Sequence, residues 1–165
     1  YGSAREVGPY RASIFYACDR YDANFQLEKY LREGRIVLSD RYVGSNMAHQ
    51  GGKIKFQKER EKFFAWLYEL EYEIFGIPKP TTSFILKVPP RIAKQLCENK
   101  ERRRVKKTDI HEKSLAHLQN AQEAYLHAAA LFPKDFCITD CMSDNMLLSR
   151  NQIHEKIWKE VKKLL

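Results

Sequence analysis

The chain has 165 residues, 44% hydrophobic and 30% charged, with a formal net charge of +8. That is one domain's length with apolar content for a real core. No run approaches the ~18 apolar residues of a membrane span, and the opening residues are not expected to form a signal peptide. The charge excess is local: KERRRVKK at 100–107 holds six bases and one acid, which is +5 of the +8. This favours a local anion site over a general nucleic-acid surface.

In chain order, Gly8-Pro9 opens a long helix that Gly34 stops. IVLSD (36–40) is short, β-branched and apolar without alternation, which predicts a strand covered on both faces. The periodicity of 56–75 predicts a helix ending at Gly76, and IPKP follows as a rigid turn. SFILKV (83–88) is a second buried strand, and Pro89-Pro90 starts a short helix through about Glu98. After the basic run, a helix is predicted from about Asp109 to Leu131, then a third strand, FCITD (136–140), and a last helix. Ser149 with Gln152 three residues on is a capping-box signature for that helix. Strands alternating with helices imply an α/β fold, a parallel sheet with helices on both faces. In such folds ligands sit at the carboxyl ends of strands, the edge where Asp40, Val88 and Asp140 fall. The four cysteines, Cys18, Cys97, Cys137 and Cys141, are expected to be buried free thiols.

Four groups of residues carry candidate chemistry. Asp40-Arg41 offers a carboxylate for a metal ion or a catalytic water beside a guanidinium fork suited to phosphate; alternatively the Asp caps the next turn and the Arg is solvated. Tyr16 and Arg20 share a helix face at i, i+4 and would give an aromatic platform with a hydrogen-bonding cation, or a core Tyr beside a surface Arg. Ser45, Asn46, His49 and Gln50 follow; two amides at i, i+4 match the mixed donor and acceptor edge of a pyrimidine, while Ser45 and Asn46 would equally serve as N-caps. The arginines of the basic run form either a lid that closes over a phosphoryl group or a solvated loop.

Taken together, FYACDR followed by IVLSDRYVGSNMAHQ resembles the thymidylate kinase family, with its aromatic-Ala-x-Asp-Arg helix and its Val-Ile-x-Asp-Arg-Tyr-x-x-Ser-x-x-Ala-Tyr-Gln segment. FILKVPP and DIHEKSLAHLQNAQEAYLHAA resemble its next strand and the helix after its lid, so the similarity runs from about Val7 to the C-terminus. The resemblance implies a single nucleoside monophosphate kinase-like domain over 1–165 with a lid at about 99–108. It implies transfer of the γ-phosphoryl group of ATP, with Mg2+, to a deoxythymidine or other pyrimidine 5′-monophosphate. Tyr16 would stack on the base, Arg20 would hydrogen-bond it, and Arg41 would hold the acceptor phosphate. Ser45, Asn46 and Gln50 would lie around the base edge, Asp40 near the metal and the transferred phosphate, and Tyr125 against the nucleotide. Arg102, Arg103 and Arg104 would belong to the lid. His49 stands where the family has Tyr, which leaves sugar and base preference open. A cytoplasmic homodimer binding nucleotides, with no nucleic-acid or membrane partner, is the matching expectation. The alternatives are a related kinase with another acceptor and a non-catalytic nucleotide-binding subunit.

No G-x-x-x-x-G-K-[ST] occurs in the chain. The resemblance places that loop, and a central first strand between IVLSD and FILKV, before Tyr1. Unpaired interior backbone groups cost about 1–3 kcal/mol each. These 165 residues are therefore expected not to fold alone, the strand coming from an N-terminal portion or from another chain.

Overall fold

The computed structural model describes residues 4–102 and 115–165, with only the backbone described at 4, 5 and 100–102. Gly8, at φ 75°, turns the chain out of a short helix, α1 (Ala4–Val7), and Pro9 opens α2 (Pro9–Arg32) with φ already preset. Gly34 ends α2 at φ 73°, which lets the Arg35 N–H fold back 3.0 Å onto the Tyr30 carbonyl. α3 (Val43–Gly51) and α4 (Gln57–Tyr68) follow, and α4 widens into a π-helical turn over Glu69–Ile74 before Gly76. β1 (Ser83–Lys87) leads into α5 (Pro90–Arg102). α6 (Leu115–Leu131) then delivers the chain to β2 (Phe136–Asp140).

β1 and β2 pair in parallel from Ser83↔Phe136 to Lys87↔Asp140. A tight hairpin, β3 (Met142–Ser143) and β4 (Met146–Leu147), turns on Asp144 and Asn145 at φ 48° and 62°. Asp and Asn tolerate the left-handed geometry that a two-residue hairpin turn demands. α7 (Arg150–Val161) closes the chain behind a complete capping box: Ser149 Oγ accepts from the Gln152 N–H, and Gln152 Oε1 accepts from the Ser149 N–H. No helix among the described residues is long and apolar enough to cross a membrane.

The core lies where α3, α4 and α6 meet. Val43, Met47 and Ala48 of α3 pack with Phe63, Phe64 and Leu67 of α4, with Ala124 and Ala128 of α6, and with Ile77. Small residues on α6 let α3 approach closely, and the approach is tightest at Gly52. A Cβ there would stand 2.9 Å from the backbone carbonyl carbon and oxygen of Asn120. α2 lies across α4 and the π-turn through aromatic contacts, Tyr10 on Phe63 and Trp66 and Tyr21 on Phe75.

Three expectations need correction. Residues 36–40 form no strand or helix, with Ile36 73% and Leu38 91% exposed. An apolar run can encode burial, but a strand exists only when a neighbour satisfies its N–H and C=O groups, and no described strand pairs with this segment. Asp40 therefore follows a segment without regular structure and does not end a ladder. Of the four cysteines only Cys141 is buried; Cys97 and Cys137 are half-buried, Cys18 is exposed, and no disulfide forms among the described residues. The helix after Pro89-Pro90 runs to Arg102, a turn further than expected. The beginning of the helix placed from Asp109 lies outside the described residues.

Two predictions follow from this packing. Gly52→Ala drives a methyl group into the α6 backbone, which cannot rotate away, and is expected to cost about 1–3 kcal/mol in chemical denaturation. Tyr42 is half-buried and donates 3.0 Å to the Pro78 carbonyl. Burial first, and the Glu71 charge second, push its hydroxyl up to about 12, with Arg20 opposing. Burial also raises Tyr72. From an ordinary value near 10 the unfolded chain loses this proton while the folded chain keeps it. Stability is therefore expected to fall as pH rises from 10 to 12. The urea midpoint across that window should drop less steeply in Tyr42→Phe than in the parent.

Candidate functional site

The i, i+3 and i+4 spacings place Ser13, Ala17, Arg20 and Asn24 on one stripe of α2, and Ser13, Ala17 and Asn24 are buried. Ala17 is fully buried, and the polar residues of the stripe are answered by other elements. Ser13 Oγ donates to Asn46 Oδ1 at 3.1 Å, and Asn46 Nδ2 donates back to the Ser13 carbonyl at 3.2 Å. The same amide lies 3.4 Å from Glu71 Oε1.

Arg20 forks onto Glu71, Nε to Oε2 and Nη2 to Oε1, at 2.5 Å each. Glu71 has no exposed surface, whereas the Arg20 side chain is 16% exposed. Glu71 lies in the π-turn that continues α4. The buried positions Phe63 and Leu67 precede it at intervals of four, and the carboxylate occupies the next place on that inward stripe.

Between α2 and α3 the chain is held in an uncommon conformation. Arg41 adopts φ 71°, which non-glycine residues rarely take, and Ser39 Oγ donates 2.7 Å to the Arg41 carbonyl. Asp40 and Arg41 are exposed, and α3 begins two residues later. On α3, Ser45 and His49 form one i, i+4 pair and Asn46 and Gln50 another.

The Ser45 hydroxyl meets Tyr125 Oη of α6 at 2.9 Å. Burial pushes the Tyr125 hydroxyl up, while the Ser45 hydrogen bond and the Arg41 charge pull it down. His49 Nδ1 lies 3.2 Å from His117 Nε2, with the rings stacked at 5.4 Å, and Tyr125 stands edge-on to His49 at 6.0 Å.

The predicted residues therefore form two groups on adjacent faces of α3. Arg20 and Asn46 converge on Glu71. Ser45, His49 and Tyr125 line the α3–α6 side, with the Arg41 charge felt there. Tyr16, half exposed at 50%, lies one turn before Arg20 on α2. Gln50 is buried and accepts from Lys53 Nζ at 2.7 Å, so both amides of the second pair are engaged inside the protein.

The backbone of Arg102 closes α5, and its side chain is not described; Arg103 and Arg104 lie outside the described residues. Among the described residues no group of three or more His, Cys, Asp or Glu could hold a metal ion by itself. Asp40 is an exposed hard-oxygen donor of the kind magnesium takes singly, with phosphates and water completing its shell.

Ser13, Glu71 and His117 were not among the predicted residues. The signal for Glu71 was available: an ionisable side chain continues the inward spacing of Phe63 and Leu67. Nothing in the sequence marked Ser13 or His117, because their roles depend on which helix crosses which.

A family model described as thymidylate kinase matches residues 3–157. A probable thymidylate kinase of Pyrobaculum aerophilum is 30% identical over 125 residues, 75% of this chain and 57% of that protein. The thymidylate kinase of Mycobacterium tuberculosis is 28% identical over 94 residues, 57% of this chain and 44% of that protein. That of Afipia carboxidovorans is 26% identical over 159 residues, 96% of this chain and 64% of that protein. The matched part of the chain thus spans 44–64% of the length of these curated relatives. With its parallel β1–β2 pairing, its surrounding helices and a match over nearly its whole length, the chain belongs to the thymidylate kinase family and to that family's α/β P-loop nucleoside monophosphate kinase fold.

Proposed function

We propose that this chain provides the acceptor half of a thymidylate kinase site, at which the γ-phosphoryl group of ATP passes to the 5′-phosphate of thymidine monophosphate. The observation that carries this reading is the conformation of Arg41. A left-handed non-glycine residue costs about 1–3 kcal/mol, and here Ser39 sustains it next to the Ser45–Tyr125 hydroxyl pair. Strain of this kind, kept at an exposed arginine, suits a residue that must present its fork in one direction.

The chemistry asks mostly for positioning and charge neutralisation. The Arg41 guanidinium would hold two oxygens of the acceptor phosphate in a bidentate grip that a lysine could not reproduce. Tyr16 would offer its ring face to the base, and Arg20 would donate to a ring carbonyl. Ser45 and Tyr125 would contact the nucleotide from the α6 side, and His49 beside them would bear on the sugar. Asn46 and Gln50 would act on the base edge from within, Asn46 through the contacts that hold Arg20. Asp40 would be one ligand of a magnesium ion, which when bound neutralises phosphate charge. The arginines at 102–104 would act as the lid over the transferred group. The donor side needs a phosphate-cradling loop of a form not found in these 165 residues, so the assay belongs to the full-length protein. A cytoplasmic homodimer remains part of this reading.

ATP-dependent phosphorylation by the full-length protein, measured across the nucleoside monophosphates, is expected to favour dTMP. Preference for another monophosphate would reassign the acceptor, and nucleotide binding without turnover would favour the non-catalytic subunit. Arg41→Ala is expected to raise the KM for the acceptor and to lower kcat at least tenfold with an unchanged circular dichroism spectrum; near-normal kinetics would refute its role. For Tyr16, stacking on a base is worth about 1–3 kcal/mol. Tyr16→Ala should therefore raise the acceptor KM by roughly fivefold to a hundredfold, while Tyr16→Phe, which keeps the ring, should stay near the parent value.

A further inference from the structure

A fully buried carboxylate needs a reason. Glu71 sits at the end of an apolar stripe where a leucine would pack, and its charge is answered across 51 residues of sequence by Arg20. Its other contact is the Asn46 amide, which is itself clasped by Ser13. Both side chains that hydrogen-bond the Glu71 carboxylate, Arg20 and Asn46, are residues of the proposed acceptor site, while its charge also reaches the Tyr42 and Tyr72 hydroxyls. We propose that Glu71 is a positioning residue for base selection: it clamps the guanidinium of Arg20 so that one edge faces the bound base. This role rests on the thymidylate kinase reading above.

The geometry of the fork makes the proposal specific. A guanidinium has five N–H groups in one plane. Glu71 takes the edge formed by Nε and Nη2. That leaves the Nη1–Nη2 edge, which has no hydrogen-bond partner among the described residues. The 16% of the side chain that is exposed sits on the same helix face as Tyr16, one turn away. An arginine fixed in this way cannot rotate to follow a ligand, and it has donors only. It favours a ring carbonyl at the facing position and disfavours an amino group there, which would bring N–H against N–H.

Charge supports the same conclusion. An arginine without a carboxylate partner at the base end of the site would compete with Arg41 for the phosphate and would bind the nucleotide in either orientation. Paired with Glu71, Arg20 is a directional donor with little net charge, and the phosphate preference is left to the Arg41 end. Asn46 adds a second restraint, since its amide holds Glu71 Oε1 from the α3 side while Ser13 holds the amide.

The test compares dTMP with dCMP, which carries an amino group where dTMP carries a carbonyl, in full-length protein. Glu71→Gln keeps the shape of the side chain and removes its charge. It is expected to lower the ratio of kcat/KM for dTMP over dCMP at least tenfold, mainly through KM for dTMP, with kcat at saturating dTMP changed by only a few-fold. The double variant Arg20→Leu/Glu71→Leu removes both charges together, so neither is left buried and alone. It should lose discrimination to the same extent as Glu71→Gln, because the two residues act as one unit. Folded Glu71→Gln protein with parental discrimination would overturn the proposal. So would a folded double variant that still discriminates, which also decides the matter if the single variant does not fold. A parent enzyme that phosphorylates no pyrimidine monophosphate would instead remove the functional reading and the role with it. A selective parent with an equally selective Glu71→Gln variant removes the role alone.

Discussion

The contact on which the arrangement of α2, α3 and α4 turns is the fork of Arg20 onto Glu71. Taking a carboxylate wholly out of water is tolerable only when a cation meets it with good geometry and its remaining lone pairs are satisfied. Here Arg20 supplies two parallel hydrogen bonds and Asn46 a longer third. Glu71 and these two partners come from three separate elements, so the ionic contact fixes how the helices cross as well as where each side chain points. Apolar residues of the same size would often serve stability equally well. What an ion pair supplies and a leucine does not is direction, and direction is what a site for a polar ring requires.

From this contact outward, α3 works as a two-sided wall. Its 46/50 stripe faces inward and holds the fold together, while its 45/49 stripe meets α6 through the Ser45–Tyr125 and His49–His117 contacts. The helix can be pressed this close to α6 because Ala124 and Ala128 are small and because Gly52 has no Cβ to meet the backbone of Asn120. The strained Arg41 stands at the entry to the same helix, so the cation proposed to hold phosphate lies next to a hydroxyl pair that α3 and α6 hold between them. Rigidity of this kind matters for phosphoryl transfer, where displacing a holding group by an ångström is costly.

Segment 36–40 shows the opposite behaviour. Its composition asks for burial, yet Ile36 and Leu38 are exposed and no described element pairs with it. β1 and β2, whose sequences are no more strand-like, pair along their whole length. The difference lies in the partner and not in the residues, because parallel pairing joins segments far apart in the chain.

Much of the fold was legible locally. Gly8-Pro9 and Gly34 bound α2, Ser149 and Gln152 cap α7, and FCITD forms β2 over the predicted span, because caps, glycine turns and apolar periodicity act within a few residues. The acidic, basic and aromatic residues of the proposed acceptor site were also visible as types at helical spacings. What only the tertiary structure decided is which of them meet. Asn46 and Gln50 share a face as their spacing requires, but the crossing helices turn both amides inward, and Glu71, whose inward place the spacing of Phe63 and Leu67 indicated, meets Arg20 only because α2 packs over it. Periodicity fixes which way a residue points from its own helix axis. What it points at is set by packing between elements many residues apart, and that information is carried by no single stretch of the chain.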